Sequence, residues 1–407
     1  MQLDDNQMTP DTDVPVMDLG PLAWVFEELR KSFDTAIKGL KRFVREADVA
    51  HGSDLAAADP NQLRAARQQL HQIVGALDML GLRETVLIVG AMESVVQRLI
   101  QRPNLTTEDA LGKLERTSFA VMEYLECLLS GKTVSSLALF VQYRDIKMLA
   151  GAERVHPADL WERASFEWLD PDMPASQQSL DYEPEVRSAM DSALLKLMQS
   201  ADSQAAGALS YLSLGLSETQ TNLKASIFWK LCAAFFEAAS QEILPIDLYV
   251  KRAASGVVIH YNNMKHGDWV FSDKFMHDML FFCEQACFEN AALVPGLAAV
   301  KKTWRLKNLP PVNYEVSRYG HFDPAVLALS RKRIVVAKEL WTGLSSGDIQ
   351  KIRGTAEQFK LVTDSLLKLY PSSVPLAHAL TNAIDSVSLA KQPPHAELAL
   401  EVATAIL

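Results

Sequence analysis

Apolar residues recur every three or four positions along almost the whole chain, and the strict alternation expected of strands is nearly absent. This spacing restricts the fold to packed helices, because a stripe of period 3.6 is buried only on one face of a helix. Leu22, Phe26, Leu29, Phe33, Ile37, Leu40 and Val44 step by three and four, predicting a helix from about Asp18, a candidate N-cap, to about Glu46. Asp59 is placed to cap a second helix with Pro60 at its first position, where a missing N–H costs nothing, and Gly81 supplies the stop. A third helix fills roughly Arg83 to Gln101, ended by Pro103. Thr106 with Asp109 has the form of a capping box opening a fourth, which reaches about Ser130 before Gly131. Four antiparallel helices with short links predict an up-down bundle over residues 16–132, after a disordered acidic tail at 1–15.

The following stretch differs. Pro157, Pro171 and Pro174, with Ser and Asp between them, predict a mainly extended connector over 133–182, with one helix near Ser136 to Leu149. A second helical module spans 183–312, with Ser272 capping one of its helices and Pro310 and Pro311 closing it. A third occupies 313–407, its helices starting near Asp323. The first module repeats there. An offset of 289 carries Leu63, Leu70, Ile73, Leu77 and Leu80 onto Ile352, Phe359, Val362, Leu366 and Leu369, and Val95 onto Ile384. The same offset puts Leu407 opposite Ser118, in the middle of the first module's closing helix, which predicts that the third bundle is a truncated piece of a longer polypeptide.

The 407 residues suit two or three modules, nearly half of them hydrophobic. A net charge of -10 argues against nucleic acid as a partner, since phosphate backbones demand basic surface. The acidic start has no secretory n-region or h-region, and runs such as Thr85 to Met92 are too short for a transmembrane segment. Cys127, Cys232, Cys283 and Cys287 are scattered within helical patterns, as buried thiols of a reducing compartment would be, and a cytoplasmic protein is expected.

Chemistry points first to His71. It lies roughly 130° around its helix from the centre of the stripe formed by Leu63, Ala66, Leu70, Ile73, Leu77 and Leu80, so it should face solvent. Gly75, one turn on, is unfavourable in a helix interior by about 1 kcal/mol relative to Ala, and clears the surface beside the ring. An exposed imidazole nitrogen can attack phosphorus directly, with metal and phosphoryl group brought by a partner domain. Elsewhere, Cys283 and Cys287 at i, i+4 near His277 read as buried thiols on one apolar helix rather than as metal ligands. His260 and His266 near Trp269 read as structural, and Lys301, Lys302, Arg305 and Lys307 as a solvated basic face. No ATP-binding motif, dinucleotide fingerprint or nucleophile elbow is present.

The stretch "LHQIVGALDMLGL", residues 70–82, resembles the phosphate-accepting helix of histidine-containing phosphotransfer (HPt) domains, of the form His-x-x-Lys-Gly. The segments "VMDLGPLAWVFEELRKSF", "FVQYRDIKMLAGAERVHPADLW" and "FMHDMLFFCEQA" resemble the N-terminal region of CheA-type chemosensory histidine kinases of the ChpA/PilL kind, which control type IV pili and twitching motility. The resemblance implies tandem HPt and HPt-like bundles, His71 as phosphoacceptor and Gly75 as its accompanying glycine. It implies response-regulator receiver domains and a kinase catalytic domain as partners, with no cofactor held by this chain and Mg²⁺ supplied by the receiver. The family's lysine is replaced by Val74, and Arg67, one turn before His71, is the candidate substitute for its charge. Position 360 in the third copy is lysine, and residues 183–259 contain no histidine. The alternative is therefore a degenerate HPt scaffold used for docking or dimerisation without phosphotransfer.

Overall fold

The computed structural model describes residues 19–49, 59–163, 165–176 and 178–406; the Asp18 cap and the 1–15 tail fall outside them. Among the described residues there are fifteen α-helices and no strands, so the chain is all-α. No helix among them is long and apolar enough to cross a membrane. Contacts divide the described residues into two compact units, one drawn from 19–76, 96–134 and 318–406, the other from 77–95 and 135–317.

The first four helices are α1 (Gly20–Val49), α2 (Pro60–Met79), α3 (Arg83–Gln101) and α4 (Glu108–Leu129). The α1 stripe is buried as its spacing requires, with Leu22, Leu29, Phe33, Ile37, Leu40 and Val44 at most 5% exposed. Asp59 caps α2, its Oδ1 accepting the backbone N–H of Asn61 at 2.9 Å. At the other end Gly81 takes φ +71°, and the N–H of Leu82 reaches back to the carbonyl of Leu77 at 3.1 Å, closing the helix with a Schellman motif. The start of α4 corrects the sequence reading by one residue. Thr107, not Thr106, is the cap, its hydroxyl accepting from the N–H of Ala110 at 3.2 Å, while the Thr106 hydroxyl is buried without a partner. α1 meets α2 at Gly39, where a Cβ would sit 3.5 Å from the Gln62 carbonyl oxygen, and meets α4 through the Lys41–Glu115 ion pair.

Further along the first unit, α12 (Pro324–Ser345), α13 (Ile352–Leu369), α14 (Val374–Ala390) and α15 (Ala396–Ala405) surround one apolar core. Asp323, near which the third module's helices are expected to start, caps α12, accepting from the N–H groups of Ala325 and Val326. Trp341, Phe359, Ile384, Val402 and Ile406 all belong to that core, so every helix contributes to it. Of the pairs related by the offset of 289, Leu70 and Phe359, Ile73 and Val362, and Val95 and Ile384 are buried, whereas Ile352, Leu366 and Leu369 are only half-buried.

The second unit contains α5 (Phe140–Ala150), α6 (Pro184–Ser200), α7 (Ser203–Glu218), α8 (Leu223–Ser240), α9 (Leu248–Lys265), α10 (Asp273–Gln285) and α11 (Pro295–Trp304). α8 is apolar on all sides and accordingly central, with Phe228, Trp229, Phe235 and Phe236 fully buried. A 3₁₀ turn at Ser136–Leu139 leads into α5, and between α5 and α6 the chain is largely extended, with a second 3₁₀ turn at Pro157–Leu160. The extended stretch returns along α7, where Leu180 donates to the Gly215 carbonyl at 3.0 Å and leaves no room for a Cβ at Gly215.

Candidate functional site

The sequence of α2 builds a helix with two unlike faces. Leu63, Ala66, Leu70, Ile73 and Leu77 are at most 2% exposed, and Arg67, His71 and Gly75 lie in line on the exposed side, one turn apart. A Cβ added at Gly75 would meet nothing within 4 Å, so no intramolecular contact demands glycine there. Gly90 and Gly354 are equally open. Val74, at the position of the family's lysine, is half-buried at the edge of the stripe. An imidazole at mid-helix, a guanidinium one turn earlier and a glycine one turn later thus share one exposed helix face.

On α13 the equivalent register carries Lys360 and Asp364, both exposed. They line a groove of about 530 Å³ between α13 and α14, with Phe359 and Ile384 at its floor and His378 and Asp385 at its rim. At the register of His71 and Gly75, α13 thus presents an ammonium and a carboxylate.

Two readings of the second unit change. Cys283 ends as a fully buried thiol pushed up to about 12 by burial, but Cys287 lies beyond the last residue of α10 and is partly exposed, so one helix does not present both. Lys301 is not on a solvated face: it is 5% exposed and donates to the carbonyls of Glu284 and Lys307 and to Asn308 Oδ1. Burial pushes its ammonium below the usual lysine range. His260 and His266 both find partners, their Nδ1 atoms 2.8 Å from the carbonyl oxygens of Gly256 and Asn262 one turn back. Among the described residues no group of three or more His, Cys, Asp or Glu side chains is placed to hold a metal ion.

The sequence reading also missed a polar network. His156 accepts the N–H of Ala158 on Nδ1 at 3.2 Å, and Asp159 Oδ2 accepts the N–H of His156 at 3.0 Å, a reciprocal capping box around Pro157. Lys274 on α10 donates to Asp159 Oδ1 at 2.7 Å, and Arg154 pairs with Asp278. Burial pushes the Asp278 carboxyl up, but His277, His156, Arg154 and Lys274 more than offset it and hold the group below the usual carboxylate range. The signal was present as His-Pro-x-Asp, the spacing of a capping box built on histidine rather than serine or threonine.

These features define an all-α protein whose candidate site is an exposed helix face rather than an enclosed reaction centre. Residues 175–317, which contain α6 to α11, match the family model of the FimL scaffold protein second domain. No curated protein and no solved structure matches the chain.

Proposed function

We propose that this chain is a scaffold of a type IV pilus chemosensory system, in which helical bundles of HPt-like form dock receiver and kinase domains in the cytoplasm. The observation that carries this reading is the similarity of residues 175–317 to a scaffold-protein domain. The third bundle supports it: its α13 retains the buried stripe of α2 but has Lys360 where α2 has His71, as a fold kept for its surface would. The domain plan that goes with it is an HPt-like bundle over 16–132, a connector over 133–182, a second module over 183–312 and a degenerate third over 313–407.

A second reading, phosphotransfer at His71, is favoured by one specific observation. The ring and Gly75 are exposed on the same face of α2, and the glycine answers to no contact within the chain. One experiment separates the two. The full chain and its His71→Gln variant are mixed with phosphorylated receiver domains of the same system, then followed by light scattering and by mapping of acid-labile phosphate. The scaffold reading expects a stable complex of equal affinity for both forms and no phosphate on the chain. Phosphate on His71, lost in His71→Gln, would overturn it in favour of the relay, and absence of any complex would overturn both.

A further inference from the structure

A cavity of about 500 Å³ opens in the second unit among the start of α3, the middle of α5, the 154–166 segment and the first turn of α10. Its size falls in the range of small-molecule sites. Its lining carries four cations, Arg83, Lys147, Arg154 and Lys274, in a chain whose net charge is -10. Two of them are already engaged: Arg154 and Lys274 both reach Asp159 and Asp278. Arg83 and Lys147 are different, since neither has a carboxylate within 4 Å among the described residues. Lys147 instead rests its ammonium over the Tyr143 ring at 5.7 Å. The second lining carboxylate, Asp273, accepts from the Trp168 indole N–H at 3.0 Å and stands at the other side of the wall, in α10.

A further lining residue lacks a partner. His277 is 6% exposed, and its Nε2 lies 2.8 Å from the carbonyl oxygen of Arg163, which obliges Nε2 to carry the proton. Its Nδ1 is buried without a hydrogen bond. Asp278 Oδ1, 4.0 Å away, is too far for one and faces Lys274 and His156 instead. Buried polar atoms are rarely left so, and here one acceptor awaits a donor beside two cations that form no ion pair among the described residues. Burial, and then the Asp159 carboxylate that its hydroxyl bonds, push the Tyr143 phenol up, so that this O–H is already engaged.

We infer that this cavity binds a small phosphate monoester carrying a hydroxyl group: the dianion is held by Arg83 and Lys147, and the hydroxyl donates to His277 Nδ1. A dianion matches the two cations that form no ion pair among the described residues, and guanidinium and ammonium are the side chains suited to phosphate oxygens. A carboxylate would neutralise one of the two and leave the other. The inference is independent of the scaffold reading, since no residue of the α2 face takes part.

The test is calorimetric titration of the full chain with ribose 5-phosphate, inorganic phosphate and ribose. The expected order is ribose 5-phosphate tighter than inorganic phosphate, with ribose not bound, and saturation at or below about 1 mM for the first. Arg83→Gln and Lys147→Gln should each weaken ribose 5-phosphate at least about tenfold with the helical circular dichroism unchanged. Arg305→Gln, outside the cavity, should leave binding as it was. Absence of saturable binding by either phosphate compound overturns the inference, as does binding that survives in both cavity variants. Retention on vesicles containing phosphatidic acid, with neither soluble phosphate bound, overturns it in favour of a membrane surface.

Discussion

Lys274 donates from its ammonium to Asp159 Oδ1 at 2.7 Å, across 115 positions of chain. That bond fastens the 3₁₀ turn at Pro157–Leu160 to the first turn of α10, while the other oxygen of the same carboxylate closes the His156 capping box. Asp159→Ala removes both. Lys274 is half exposed, so the ion pair itself contributes little and the lost cap dominates. The expected cost is about 1 kcal/mol, measured as a lower urea midpoint with unchanged m-value.

The imidazole of His156 makes stability depend on pH. Burial, only partly opposed by Asp278, pushes it down to about 4 from its ordinary 6.5. The unfolded chain therefore binds the proton that the folded chain refuses between those two values, and stability is lost as pH falls from about 6.5 towards 4, by about 3 kcal/mol at most. His156→Asn keeps a side-chain acceptor for the Ala158 N–H and removes the titrating ring. Urea midpoints at pH 7 and pH 5 should differ less in that variant than in the parent chain, and an equal pH dependence in both would remove His156 as its source.

At Gly75 stability and docking should move in opposite directions. Nothing lies within 4 Å of an added Cβ, so Gly75→Ala should stabilise the chain by about 0.5–1 kcal/mol through helix propensity alone. If the exposed face of α2 receives a partner, the same methyl should weaken that complex. A thermal melt and a receiver-binding titration on one protein sample read both effects.

Arg67 and Val74 test the relay reading specifically. Arg67→Ala should slow any phosphotransfer to His71, and Val74→Lys should speed it, because Val74 sits at the edge of the buried stripe and a lysine stem can pack there with its ammonium in solvent. Rates unchanged in both variants would make Arg67 an ordinary surface residue.

Trp341 ties the helix nearest the C-terminus to the third core, its Nε1–H donating to the Ala399 carbonyl at 3.0 Å. Trp341→Phe keeps an aromatic ring in the core and loses the donor, at a cost of about 1 kcal/mol. Hydrogen exchange should then accelerate in Ala396–Ala405 before it does in Ile352–Leu369, since α15 is short and holds the core through Val402 and Ile406 near its end.

Local rules were enough to read the helices from the sequence. The α1 stripe is buried except at Phe26, which is half-buried. The Asp59 cap, the Gly81 stop and the α3 boundaries depend on neighbours within one turn, and each stands where the local signals placed it. So does the outward face of His71, because the angle between two residues on one helix is set by their spacing. Tertiary structure alone decided what depends on residues far apart in the chain. Lys301 looks like one more exposed cation until the Glu284 and Lys307 carbonyls close around it. Asp159 and Lys274 are unremarkable separately, and Arg83 and Lys147 come to line one cavity only when α3 and α5 pack around it. Burial and charge balance are sums over everything nearby in space, and helical periodicity does not encode which distant segments those neighbours come from.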